Sequence, residues 1–187
     1  MTFSLTSLNE QPFTVLNGFS KISDHELTDR DVIIRDGARK LYDWWSDYVA
    51  RHGKLPTRRA FDILSMLPHA ADMFLAARTA EGNWTYQLQG EEFKRLFNGG
   101  FQNNVEINCS FTAFPHSVAD YLNSVAAGRV CRRSHGTTTG SIKNRNTFES
   151  IDCPLIDSTG RVSHIIGIAE LYRDRSASSP GATVHLK

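Results

Sequence analysis

Side chains of this 187-residue chain that can ligate a metal or act as nucleophiles are scattered, among them the thiols Cys109, Cys131 and Cys153 and, of seven imidazoles, His52, His69, His116, His135 and His164. Metal sites built on nitrogen and sulfur need ligands in close pairs that one turn or one helix face can converge, and neither set has such pairs. Single thiols and imidazoles of this kind are expected to be buried or solvated side chains. The run Gly136-Thr137-Thr138-Thr139-Gly140-Ser141 has the small residues of a phosphate-cradling loop but lacks the lysine that reaches the phosphates, so a strand end and turn are expected there. There is no G-x-S-x-G elbow and no H-E-x-x-H pair. These residues point away from catalysis, and a non-enzyme is expected.

Charge narrows the partners. Lys plus Arg number 21 against 20 Asp plus Glu, a formal net charge of +1, so no long-range field steers the chain toward nucleic acid or anionic lipid. The basic doublets Arg58-Arg59 and Arg132-Arg133 lack the interleaved aromatics on which bases stack, and no nucleic-acid partner is expected. An odd number of widely spaced cysteines, no leader pattern and no apolar run long enough to span a bilayer lead to an expectation of a soluble protein in a reducing cytoplasm.

Any such side chain has to be positioned by the elements around it, and the heaviest ones stand together over residues 41–62. Ile34, Ala38, Leu41, Trp45 and Tyr48 recur at helical spacing, with Trp44 widening the stripe, while Arg35, Arg39, Asp43, Asp47 and Arg51 occupy the other face. Gly53 and Pro56 supply a stop; Asp24 or Thr28 can cap the start, or the helix begins only after Gly37. Leu64 to Leu67 reads as a turn of helix closed by Pro68.

From Met73 the period changes to two. Residues 73–77 and the alternating Trp84, Tyr86 and Leu88 flank the turn Glu81-Gly82-Asn83 and predict a hairpin. Gly90 opens a short helix carrying Phe93, Leu96 and Phe97. A longer one follows Thr112 or Ala113 and Pro115, with Phe114, Val118, Tyr121, Leu122 and Val125 on one side and Gly128 as its stop. Strands are predicted over 130–139, 147–156 and 162–171, separated by turn-forming residues. The sum is an α+β fold: a five-stranded antiparallel sheet with helices on one face, leaving the first helix for the other face or for a second copy. Residues 1–23 read as a flexible arm, 24–68 as an N-terminal helical segment, 69–172 as the main domain and 173–187 as a disordered tail.

Leu41, Tyr42 and Trp44 or Trp45, then Gly53, Pro56 and Arg58, then Leu67-Pro68-His69, resemble the motif of small bacterial PAS-type sensory domains; Tyr86, Leu88, Gly90, Phe148-Glu149, Pro154-Leu155 and Ile166-Gly167 continue the likeness to residue 171. The resemblance implies a PAS-like domain, non-catalytic, that acts through protein–protein contact in bacterial signal transduction. A homodimer using Leu41, Trp44, Trp45 and Tyr48 and a separate signalling protein are the implied partners.

A PAS-type core also implies a pocket. The candidates to line it, or else simply to fill the core, are Phe74, Tyr86, Phe93, Phe97, Phe111, Tyr121, Val125, Ile151, Cys153 and Ile166. A small-molecule or haem receptor is the alternative function, with His116 the candidate iron ligand, since oxygen-sensing relatives use a histidine on this helix. Asn108-Cys109-Ser110-Phe111 is similar to the adduct-forming motif of flavin photosensors. Thr112 and Ala113 stand where those domains hold the flavin phosphate with an arginine, and 162–171 contains no glutamine, so a plain buried thiol is expected at Cys109.

Overall fold

Ten consecutive residues, Thr147–Ile156, form the longest pairing of the fold with Val162–Tyr172, and the rest of the sheet is laid on either side of these two strands. The Asp157 side chain accepts from the amides of Thr159 and Arg161 and Gly160 takes φ +82°, so the turn between the strands is held by its own residues. The structure, a computed structural model, describes residues 14–16, 19–97, 101–111, 116–138 and 147–172.

In chain order the strands are β1 (Thr14–Leu16), β2 (Phe19–Glu26), β3 (Met73–Arg78), β4 (Trp84–Gln89), β5 (Cys109–Phe111), β6 (Arg132–Thr138), β7 (Thr147–Ile156) and β8 (Val162–Tyr172), and the helices are α1 (Asp36–His52), α2 (Glu91–Leu96) and α3 (Val118–Gly128). The main sheet is antiparallel, with order β2-β6-β7-β8-β3-β4, and β1 pairs in parallel with β5 apart from it. The fold is α+β, with six strands in the main sheet among the described residues rather than the expected five. The sixth is β2, which falls partly inside the expected flexible arm: its backbone pairs with β6 from Phe19↔Thr138 to Glu26↔Arg132. Asp24, a candidate helix cap, lies on this strand and pairs with Arg132. The remaining arm residues and the expected tail lie outside the described residues, apart from β1.

α1 contacts β7 and β8. Side chains of a strand alternate between faces, so Glu149, Ile151, Cys153 and Leu155 of β7 turn toward α1, with their cross-strand partners Glu170, Ile168, Ile166 and His164. Phe148, Ser150 and Asp152 turn the other way, under α2 and α3. Gly37, which at the sequence level weighs against helix, is its second residue: a Cβ there would stand 2.7 Å from both His69 Nδ1 and Ile168 Cδ1, so glycine lets the first turn sit close to the sheet. The apolar stripe starts at Ile33, fully buried, and not at Ile34, half exposed, because the chain enters the helix only at Asp36. Gly53 at φ 63° ends the helix, its amide bonded to Val49 O.

Two other boundaries differ from expectation. The Leu64–Leu67 turn is part of a longer run of 3-10 turns, Ile63–Asp72, which passes through Pro68 because single turns do not all require its missing N–H. α3 is capped by Ser117, which exchanges hydrogen bonds with Asp120, and its left-handed terminator is Arg129 at φ 56°, not Gly128. The proposed caps Thr112 and Ala113, with Phe114 and Pro115, lie outside the described residues. One buried cluster runs from Leu27, Ile33, Leu41 and Trp45 through Met66 to the sheet and α3, so the N-terminal helix and the sheet share a core.

Candidate functional site

β7 supplies the polar floor of a cavity on the face opposite α1. Phe148, Ser150 and Asp152 rise from it, Ser134 from β6 and Ile22 from β2; Val118, Tyr121 and Leu122 descend from α3, Phe93 and Phe97 from α2, and Phe74 and Tyr86 close the side along β3 and β4. The cavity measures about 60 Å³. The cavity is partly open, and its enclosed space suits a small molecule of a few non-hydrogen atoms.

The apolar wall is an aromatic cluster. Phe74 lies 4.8 Å from Phe93 and 5.6 Å edge-on to Tyr86, and Phe93 lies 4.7 Å from Phe97, all within the range where ring quadrupoles favour tilted contact. Gly167 makes this approach possible: a Cβ on it would lie 2.3 Å from the Phe74 ring and 2.5 Å from Asp152 Oδ1.

The polar floor is a connected chain. The Ser134 hydroxyl donates to Tyr121 Oη at 2.9 Å, Tyr121 donates to Asp152 Oδ2, and Ser150 donates to Asp152 Oδ1 at 3.0 Å. Asp152 is 2 % exposed, and burial pushes its carboxyl up to about 7, against the smaller opposing effect of the two hydroxyls. Burial, and next the neighbouring Asp152, hold the Tyr121 phenol well above its ordinary value. Arg132, the cation whose field reaches Asp152, is paired with Asp24.

The outer face of β7 carries a second buried carboxylate. Glu149, 0 % exposed, accepts from the amides of Ile34 and Arg35 and from Arg133 Nε at 2.6 Å. Its neighbour Glu170 on β8 accepts from Ala38 N at 2.9 Å, with Arg35 Nε at 3.9 Å and His69 Nδ1 at 4.0 Å. The amides at the start of α1, which no local side chain caps, are thus satisfied by carboxylates from the sheet, whose negative charge also suits the positive helix end. Nearby, burial and then Glu170 raise Asp72 to about 6.

Of the candidate pocket residues, Phe74, Tyr86, Phe93, Phe97 and Tyr121 line the cavity. Ile151, Cys153 and Ile166 do not: strand parity turns them toward α1, where Cys131 donates to Cys153 and Tyr42 lies near both thiols. Val125 is fully buried in α3 but is not on the wall, and the side chain of Phe111 lies outside the described ones. His116 is exposed and absent from the lining. Of the interface candidates, Leu41 and Trp45 are buried in the chain's own core, the Trp45 indole donating to Pro154 O at 3.0 Å. Trp44 packs edge-on to Phe61 at 4.9 Å and Tyr48 stacks on His52 at 4.1 Å, both half-buried.

Sequence reasoning missed the apolar lining residues Ile22, Val118, Leu122 and Phe148, the polar Ser134, Ser150 and Asp152 on the cavity side, and Glu149 and Glu170 on the helix side. The cavity does not suit either cofactor suggested by resemblance. A flavin or haem ring system would have to extend beyond its enclosed space; Cys109, whose thiol burial pushes up to about 12, is not on its wall, and neither is His116. Among the described residues no group of three His, Cys, Asp or Glu could hold a metal ion, and no helix is long and apolar enough to cross a membrane.

No family model and no curated protein matches the sequence. Among solved structures, the chain is similar to an RNA-binding Light-Oxygen-Voltage receptor, at a TM-score of 0.40 and 14% identity over 82% of this chain and 39% of that one.

Proposed function

We propose that the chain is a PAS-like sensory domain of bacterial signal transduction, in which a small molecule in the inner cavity changes how α1 seats on the outer face and α1 passes the change to a protein partner. The observation that carries this reading is the alternation of β7: Ser150 and Asp152 face the cavity while Glu149, between Phe148 and Ser150, holds the start of α1. One strand therefore has the cavity floor on one side and the helix anchor on the other.

The packing around that strand has little slack. Gly167 is already in contact with Phe74 and Asp152, so movement of Asp152 toward a ligand moves β7 or β8 with it. Each amide bond to a buried carboxylate contributes on the order of 1.5–3 kcal/mol, enough for a small change in geometry to matter to the seating of α1. A ligand biases that seating only by its difference in affinity for the two arrangements. Of the receptor readings, the cavity favours a small molecule over haem.

The test is ligand-observed NMR of the full chain against small molecules of a few non-hydrogen atoms, followed by amide hydrogen exchange with any binder. Binding at Phe93, Tyr121 and Asp152 with altered exchange at Ile34, Arg35 and Ala38 is the expected result. No cavity binder, or binders that leave these amides unaltered, would overturn the reading.

A further inference from the structure

The donor and acceptor inventory of the cavity floor specifies a ligand class. The hydroxyl hydrogens of Ser134, Tyr121 and Ser150 are spent within the chain, on Tyr121, Asp152 Oδ2 and Asp152 Oδ1. With Asp152 ionised, its oxygens and those of the two serines offer the cavity lone pairs only. Among the described residues no cation is paired with Asp152, since Arg132 is held by Asp24. The opposite wall is made of the rings of Phe74, Tyr86, Phe93 and Phe97, which are electron-rich, and of these four only Tyr86 brings a polar group, a hydroxyl near Asp152 that can accept as well as donate.

Acceptors, an unpaired carboxylate and aromatic faces have one complement in common. From this we infer that the cavity binds a small monoamine, held as its ammonium ion against Asp152, with an apolar body of a few carbons among the aromatic rings. The inference rests on the reading of the cavity as a ligand site. A neutral hydroxyl compound supplies a donor but leaves the buried carboxylate without a counter-charge, and a carboxylic acid anion places like charge beside it.

The experiment compares three molecules of nearly one shape, isobutylamine, isobutanol and isobutyrate, by calorimetric titration of the full-length protein at pH 8, with the site located by NMR shifts of the cavity residues. Isobutylammonium should bind saturably, at least tenfold more tightly than isobutanol, with isobutyrate weakest. Asp152→Asn, which keeps the shape and an acceptor for Tyr121, should lose at least tenfold in amine affinity and change isobutanol affinity less than twofold. The ligand series on the unaltered protein decides the question even if that variant does not fold. Binding of isobutanol or isobutyrate equal to or tighter than that of the amine would overturn the amine inference while leaving a cavity for ligands. Shifts confined to surface carboxylates would overturn it too, and no binding by any of the three would count against both readings.

Discussion

Tyr121 on α3 donates its phenolic hydrogen to the carboxylate of Asp152 on β7, joining the helix above the cavity to the strand beneath it. The bond orients the carboxylate without neutralising it.

Asp152 should make the protein less stable as pH rises. Its carboxyl titrates at about 7 in the fold against 3.8 ordinarily, so between these values the folded chain holds a proton that the unfolded chain has released. Stability is then greatest below pH 4 for this group and is lost as pH climbs through 7, by on the order of 4 kcal/mol for about three pK units. The titratable groups facing it are Asp24 and Arg132, paired with each other, and the neutral phenols of Tyr121 and Tyr86. Urea unfolding of Asp152→Asn at pH 5 and pH 8 should show a smaller decline than wild type, with a residue left by Asp72, which is raised to about 6.

Glu149→Gln should be costly. It leaves Arg133 buried without its counter-charge and weakens the seat of Ile34 and Arg35, a change of about 3–5 kcal/mol for a broken buried pair. Glu170→Gln keeps an acceptor for Ala38 and strips a charge that, among the described residues, no cation approaches closer than 3.9 Å, so its loss should be smaller. Chemical denaturation of the two variants ranks them; equal losses would contradict the assigned roles.

Gly167→Ala should destabilise by about 1–3 kcal/mol, because the new methyl meets the Phe74 ring and Asp152 Oδ1. It should also abolish cavity binding by displacing both, which calorimetry with a cavity ligand checks.

Trp45→Ala should cost about 3–5 kcal/mol, since the indole is 8 % exposed and donates to Pro154 O. The mass in solution should not change, because Trp45 packs on its own sheet. Unchanged melting would contradict this placement.

Much of the scaffold was legible in the sequence because local signals suffice for it. The period of α1 and its stop at Gly53, the β3–β4 hairpin with Gly82 at φ +94°, and the β7–β8 pair closed by Asp157 and Gly160 all depend on residues near one another. β2 was not legible: Phe19–Glu26 alternates no apolar face, and only its backbone pairing with β6 makes it a strand. Most of the cavity's aromatic residues were legible as large apolar side chains. Its polar floor was not, because β7 is buried on both faces from Phe148 to Ile156, so polarity along it does not report a solvent side. For that reason the sequence could not tell Ile151 and Cys153, candidates for the pocket or the core, from the cavity-facing residues of β7. Nor could local capping signals reveal that the amides at the start of α1 are satisfied by Glu149 and Glu170, 115 and 132 residues away from Ile34 and Ala38.

The central claim is that cavity and α1 are coupled through β7, and coupling is reciprocal: what a ligand does to the helix seat, the seat must do to the ligand. The most direct measurement is the affinity of one cavity ligand for wild type and for Glu149→Gln, whose altered side chain lies on the far face of the sheet and touches no ligand. The account requires a change of at least about fivefold, the lower end of a typical coupling between sites. Identical affinities, with both proteins folded, would mean that the cavity and the helix do not communicate.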